Sequence, residues 1–191
     1  KETLAYFEKQ GPNSPQLNAV LGGLSTFYRE SGRFKDQEPV LQRRLAYAQN
    51  VFGRDSLQVG ELLGSMARIY ADQGRHKEAI DIGRRGLAIR ERYHGANGAQ
   101  TIHSHGNIAA YHMALKDWRS AAAELRTVVS YLAKRERGAE LSRSSSMLQQ
   151  GLWIDQSYTH ALIQVLHRLG ASDAAIIDES FQTAQLALLS D

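Results

Sequence analysis

The sequence predicts an all-α chain built as a stack of helix pairs, an α-solenoid, and three observations carry that reading. Gly11, Gly53 and Gly95 stand 42 residues apart, and Gly32 and Gly74 keep the same interval. Leu21, Leu24, Tyr28, Arg33 and Leu45 fall in register on Leu63, Met66, Tyr70, Arg75 and Leu87. Strand signals are scarce: there is no long period-2 alternation, and Asn97–Gly98 joins two helical patterns. A fixed long period marks supersecondary units that cannot bury their apolar faces alone and must stack. Arrays of this kind bind other macromolecules more often than they do chemistry.

Each element follows from apolar spacing. From Leu17 to Ser31, Val20, Leu21, Leu24, Phe27 and Tyr28 share one helical face, and Gly32 stands where a left-handed cap belongs. A second helix is expected over 35–52, carrying Leu41, Leu45, Ala48 and Phe52 and ended by Gly53. The next unit repeats this. Leu57 to Gln73 carries Leu62, Leu63, Met66, Ile69 and Tyr70 before Gly74; His76 to Tyr93 carries Ala79, Ile80, Leu87 and Ile89 before Gly95. A third unit runs from Ala99 to Leu115 and from Trp118 to about Glu136, with Lys116–Asp117–Trp118 in place of the glycine turn. Residues 1–10 match the end of a preceding unit, so the chain is expected to start within a second helix. After Arg137 the period breaks: Gly170 follows Gly74 by 96 residues, twelve more than two periods. One long or kinked helix is expected from Leu141 to Leu169, with Ser144–Ser146 as the alternative loop. A last helix is expected from about Ser172 to Leu189, capped by Ser172 or Asp173. The whole reads as a single domain, 1–191, of units 1–12 (partial), 13–54, 55–96, 97–138 and an irregular 139–191.

Composition narrows the function classes. The 191 residues are 42% hydrophobic and 23% charged. No stretch approaches the roughly 18 consecutive apolar residues of a membrane span, and no basic start precedes an apolar run. The chain has no cysteine, which excludes disulfides, thiolate metal sites and cysteine nucleophiles within it and fits a reducing, cytoplasmic setting. A net charge of +3 with interspersed signs falls short of the clustered footprint of a nucleic-acid reader.

The second unit reads Leu63-x-x-Met66-Ala67-x-x-Tyr70-x-x-x-Gly74-Arg75-x-x-x-Ala79. This resembles tetratricopeptide repeats, whose common form has 34 residues. The 42-residue spacing and the stretch Arg85–Gly86–Leu87–Ala88–Ile89–Arg90–Glu91…Gly95 resemble the longer repeats of kinesin light chains. The resemblance covers roughly residues 1–137. It is looser in the first and third units, where Ser25 replaces Ala67, Gln37 replaces Ala79 and His112 replaces Tyr70. HEAT-type repeats have similar periods but lack the Gly–Arg turn. Asp178–Glu179–Ser180–Phe181–Gln182–Thr183–Ala184–Gln185–Leu186–Ala187 is similar to the segment after the repeats in bacterial proteins carrying a caspase-like CHAT domain. That likeness implies a peptidase-like domain further on; its Cys–His pair maps onto no residue here.

The family resemblance implies a right-handed solenoid whose first helices line a concave groove. Ala19, Gly22, Thr26 and Arg29 share one stripe beside the core. Their equivalents are Glu61, Gly64, Arg68 and Ala71, then His103, Gly106, Ala110 and Met113. A fourth helix adds His160, Gln164 and His167. Gly22, Gly64 and Gly106 are unexpected, since glycine inside a helix costs roughly 0.5–1 kcal/mol relative to Ala. Kinesin-light-chain-like repeats typically carry an Asn there that contacts bound peptide. Two readings stand: glycine admits a ligand, or it admits a neighbouring first helix. Arg29 and Arg68 suit an acidic or C-terminal carboxylate, or they pair with Glu30, Glu61 and Asp72.

Chemistry has little support. His103 and His105 point apart on a helix, and His105 and His112 share a face at core positions with no third ligand spaced to join them. Gly22–Gly23 lies inside a helix and is no dinucleotide loop. Arg143 with Ser144–Ser146 reads as linker or helix before phosphorylation site, and Trp118 and Trp153 as packing residues. The sequence therefore predicts a non-enzymatic interaction module without cofactor or metal. It binds a protein or peptide partner, acidic in the sharper form, and regulates an attached CHAT domain if one follows. Self-association through exposed repeat ends is the second reading.

Overall fold

A computed structural model of the protein describes residue 11 and residues 14–140, 148–170, 175–176, 178–180 and 182–183, leaving out the side chains of 136–140 and 148–156. Among these residues there is no strand. The helices are α1 (Pro15–Glu30), α2 (Phe34–Phe52), α3 (Leu57–Asp72), α4 (His76–His94), α5 (Ala99–Ala114), α6 (Trp118–Glu140) and α7 (Leu148–Gly170). The chain divides into two compact units, Lys1–Tyr93 and His94–Asp191. Residues 1–10, Leu141, Ser144–Ser146, Ser172, Asp173 and the side chains of Leu148, Leu152 and Trp153 lie outside the description.

In the first unit, α1 pairs with α2 and α3 with α4. Ser14 and Ser56, one period apart, cap α1 and α3: their hydroxyls accept from Leu17 N at 3.3 Å and Val59 N at 3.4 Å. Each turn closes on the same bond, Arg33 N–H to Tyr28 O at 2.8 Å and Arg75 N–H to Tyr70 O at 2.9 Å. This bond requires a left-handed residue, supplied by Gly32 (φ 69°) and Gly74 (φ 77°). So short a turn returns the second helix antiparallel to the first.

The apolar stripes meet as the spacing predicts. Leu17, Leu21 and Val40 close the first pair. Ala48, Val59, Leu63 and Ile89 form one cluster, and Leu41, Met66 and Ile69 another, so α2 is packed on α3. A polar latch ties the two pairs together. Glu38 of α2 accepts from Tyr70 Oη and from Arg75 Nη1, each at 2.7 Å, while the Arg75 guanidinium lies 4.1 Å from the Tyr70 ring centroid. The Arg75 bond, with that to Tyr70, holds the Glu38 carboxyl below its ordinary pKa. Burial raises that of Tyr70, with Glu38 adding to it.

In the second unit, the turn from α5 to α6 makes the equivalent bond, Asp117 N–H to His112 O at 3.0 Å. Lys116 takes the left-handed conformation there, at φ 59°. Ala109, Ala121, Ala122, Leu125 and Val129 pack with Leu162, Val165 and Leu166 of α7, and Trp118 packs against this cluster. Thr159, Leu162, Val165 and Leu166 are buried, as Leu63, Met66, Ile69 and Tyr70 are 96 residues earlier. The twelve-residue insertion therefore sets α7 in the register of a first helix. His112 is buried with Nδ1 3.0 Å from Asp117, and His105 Nδ1 lies 2.6 Å from Glu124.

Candidate partner-binding site

The groove candidates of α1 and α3 are exposed or half-buried. Thr26 is exposed and its hydroxyl donates to Gly22 O at 3.3 Å. Arg29 is exposed and lies 3.9 Å from its neighbour Glu30. Ala19, Glu61 and Arg68 are exposed, and Ala71 is half-buried. In the second unit His103 and Ala110 are exposed, and His103 Nδ1 lies 3.2 Å from Asn107. Met113 is half-buried and packs against the α5–α7 core. On α7, His160, Gln164 and His167 are exposed; Gln164 and His167, with Ile163 and Arg168, line a depression of about 620 Å³.

The three stripe glycines are each covered by a named side chain. A Cβ at Gly22 would lie 3.6 Å from the Arg44 guanidinium carbon. At Gly64 it would fall 2.6–2.9 Å from the Arg90 guanidinium. At Gly106 it would fall 2.5 Å from the Tyr158 ring. Tyr158 comes from α7, so Gly106 serves the packing of one first helix on another. At Gly22 and Gly64 the group comes instead from the second helix of the same pair, an arrangement neither sequence reading held.

The two arginines sit in different electrostatic company. Burial lowers the pKa of both. For Arg90 the Glu61 charge opposes that shift. For Arg44 burial is the one cause, and among the described residues its hydrogen bond runs from Nε to Asn18 Oδ1 at 3.4 Å. First-helix periodicity could not find either residue, because both reach the stripe from second helices.

Arg44 faces a cavity of about 410 Å³. Asn18 of α1 lines it with Arg44, Tyr47, Ala48 and Phe52 of α2 and Gln58, Glu61, Leu62 and Ser65 of α3. Phe52 is 47% exposed and meets Tyr47 edge-on, ring centroids 6.1 Å apart. The site thus combines amide and hydroxyl groups, an aromatic rim, one half-buried cation and the exposed Glu61 carboxylate. Among the described residues no group of three or more His, Asp or Glu is placed to hold a metal.

Against known proteins, the tetratricopeptide repeat family pattern matches residues 16–92 and again 58–133. The chain belongs to the tetratricopeptide repeat family. Nearly identical TPR-like repeats assigned to a kinesin light chain of Podosopora anserina are similar to it over 98% of this chain and 81% of theirs, at 18% identity and a TM-score of 0.72. A variant of that protein gives 16% identity with the same coverage and TM-score. BtubC (BKLC) from P. vanneervenii is similar over 94% of this chain and 64% of its own, at 13% identity and a TM-score of 0.69. These likenesses show the fold, the all-α solenoid of helix pairs that the period predicts. A comparison with curated protein sequences found no match. Tetratricopeptide repeats mediate protein–protein interaction and are typically non-enzymatic scaffolds. Among the described residues no helix of this tetratricopeptide repeat chain is long and apolar enough to cross a membrane.

Proposed function

We propose that this chain is a cytoplasmic interaction module that holds a peptide or an extended partner segment along the stripe formed by its first helices. The observation that carries the reading is the cavity of about 410 Å³ between α1 and α3, because it opens where two first helices face each other over a second. Such a cavity is of the size that takes side chains or small ligands. The test is a photo-crosslinker placed at Gln58, which lines the cavity, and separately at exposed Arg84 on α4. Peptides selected from a random library should crosslink at position 58. Crosslinking at 84 alone would refute the reading. Regulation of an attached caspase-like CHAT domain is the finer form, supported by the likeness of residues 178–187. Residues 181 and 184–187 of that segment lie outside the described ones. A His…Cys peptidase pattern encoded beyond Asp191 supports this form, and its absence there ends it.

Self-association is favoured by a separate observation. Phe27 is 56% exposed, whereas its equivalents Ile69 and Tyr111 are buried. An apolar residue open at one repeat and covered in the next two fits a face that takes another copy. Light scattering should then show a concentration-dependent mass that Phe27→Ser abolishes; a monomer at every concentration rejects this reading.

A further inference from the structure

We propose that Asn97, in the turn between α4 and α5, is a self-modifying site: its side-chain amide is lost without an enzyme, and the residue becomes aspartate or isoaspartate. The chemistry needs a backbone nitrogen that can reach the preceding side chain. Asn97 is exposed and Gly98 follows it. The Gly98 nitrogen attacks Asn97 Cγ, and the new N–Cγ bond closes a five-membered imide. The Cγ–Nδ2 bond breaks, and the leaving nitrogen takes the Gly98 proton and departs as ammonia. Water then opens the imide at either carbonyl. Addition at Cγ leaves aspartate; addition at the backbone carbonyl leaves isoaspartate, with the chain routed through the side chain. Nothing is oxidised or reduced. Glycine carries no Cβ to obstruct the attack.

The fold separates Asn97 from the other described asparagines. Asn18, Asn50 and Asn107 lie within α1, α2 and α5, where the following N–H is held in the helical ladder. The side chains of Asn18 and Asn107 are also engaged, with Arg44 and His103. At the α4–α5 turn the Gly98 N–H makes a single bond, to Gly95 O at 3.1 Å. Opening one turn bond is a local event, whereas opening a helix interior is not. Space also holds the glycine in place. Its φ is −68°, which any residue adopts, yet a Cβ there would lie 2.5 Å from His94 Cβ and 2.7 Å from His94 O. The serine that caps α1 and α3 at the equivalent positions does not fit here, so the crowding by His94 preserves the residue that makes Asn97 reactive.

The repeat shows what the product gains. One period earlier, Asn97 corresponds to Asp55 and Lys134 to Arg92. Asp55 and Arg92 are paired at 3.3 Å. Aspartate at 97 therefore restores a residue that the preceding turn already carries, with the exposed cation Lys134 at the corresponding place. It also sets a negative charge one residue before the cap of α5, where Gly98 makes no side-chain bond to the first turn. A negative charge at a helix N-terminus is stabilising. Isoaspartate acts the other way, because it lengthens the backbone where His94 crowds Gly98. Either product lowers the net charge of +3 by one.

The test incubates the full chain at mildly alkaline pH and follows it by peptide mass spectrometry. Conversion of amide to acid at Asn97 should run about tenfold or more ahead of that at Asn18, Asn50 and Asn107. Asn97→Gln should abolish it, because the longer side chain closes a six-membered ring far more slowly. No conversion at Asn97, or conversion no faster than at Asn107, overturns the site. Asn97→Asp, made directly, should raise the thermal midpoint by about 2 °C. The rise should be smaller in a Lys134→Ala background. An unchanged or lowered midpoint overturns the gain assigned to the aspartate product, and an equal rise in both backgrounds overturns its pairing with Lys134.

Discussion

The two helix pairs of the first unit share a register and differ in how closely their helices meet. In the second pair a Cβ at Gly86 would lie 3.0 Å from Gly60 O, 3.2 Å from Gly64 N and 3.2 Å from Leu63 Cβ, so α3 and α4 touch backbone to backbone. In the first pair the equivalent positions are Asn18, Gly22 and Arg44, and a long side chain lies where the second pair has none. Arg90 reaches Gly64 from the position equivalent to Ala48, one turn beyond that of Arg44. A period therefore fixes which backbone positions correspond without fixing which side chains meet. Two arginines can cover equivalent glycines from inequivalent positions.

The largest break in this comparison comes from filling the second pair. Gly86→Ala places a methyl against backbone atoms that cannot step aside, and overpacking of this kind costs about 1–3 kcal/mol. The gain in helix propensity, about 0.5–1 kcal/mol, offsets only part of it. Chemical denaturation should show a net loss near ~1.5 kcal/mol. No loss would mean that the pinch between α3 and α4 is not close.

Next comes the turn arginine, present in both pairs. Arg33 bonds Asp36 and lies 4.8 Å from the Tyr28 ring, all at the surface. Arg75 makes the equivalent contacts with Glu78 and Tyr70 and adds Glu38 of the preceding pair. Arg75→Ala should cost about 1.5–2 kcal/mol and Arg33→Ala about 0.5 kcal/mol, since only the first leaves a half-buried carboxylate without its cation. Equal costs would dissolve the latch. The same latch sets an acid response. The Glu38 carboxyl is held below its ordinary value of 4.5, so its contribution is complete above that pH and fades as pH falls through the folded value. Glu38→Gln should lower stability near neutrality and reduce its loss between about pH 5 and the acid limit. A wild-type acid profile in this variant would show that the carboxylate contributes nothing.

A smaller effect separates the two pair cores. Ala67 and Ala79 are buried in the second pair, where the first has Ser25 and Gln37. Gln37 Nε2 donates to Ser25 O at 2.9 Å and to Ser25 Oγ at 3.1 Å, so two departures from the repeat bond each other, while Gln37 Oε1 is buried without a partner. Ser25→Ala should cost about 1 kcal/mol, and less in a Gln37→Met background, where no donor is left to satisfy. Additive costs in a double-mutant cycle would deny the coupling.

Much of this was legible in the sequence and some was not, for a physical reason. Helix bounds, turn glycines and the register of α7 follow from the period, because a turn needs φ > 0 at a fixed place and a core face needs fixed spacing. Lys116 shows the limit: its left-handed turn was expected as a replacement for glycine, yet its conformation comes from the fold around it. That the stripe on α1 and α3 lies outside the core was legible. Its covering groups were not, since Arg44, Arg90 and Tyr158 belong to other helices and side-chain reach across a helix pair leaves no mark in a one-dimensional period. The coupled pair Ser25 and Gln37 was visible only as two separate weaknesses.

Gly22→Ala gives the smallest effect and the cleanest contrast, because the substitution that harms Gly86 should here help. The new methyl would meet the Arg44 guanidinium at 3.6–3.9 Å, ordinary contact with the end of a flexible side chain. Helix propensity then dominates, for a gain of about 0.5–1 kcal/mol. A loss of stability would mean that α1 and α2 are pinched like the second pair, and the difference between the two pairs would disappear.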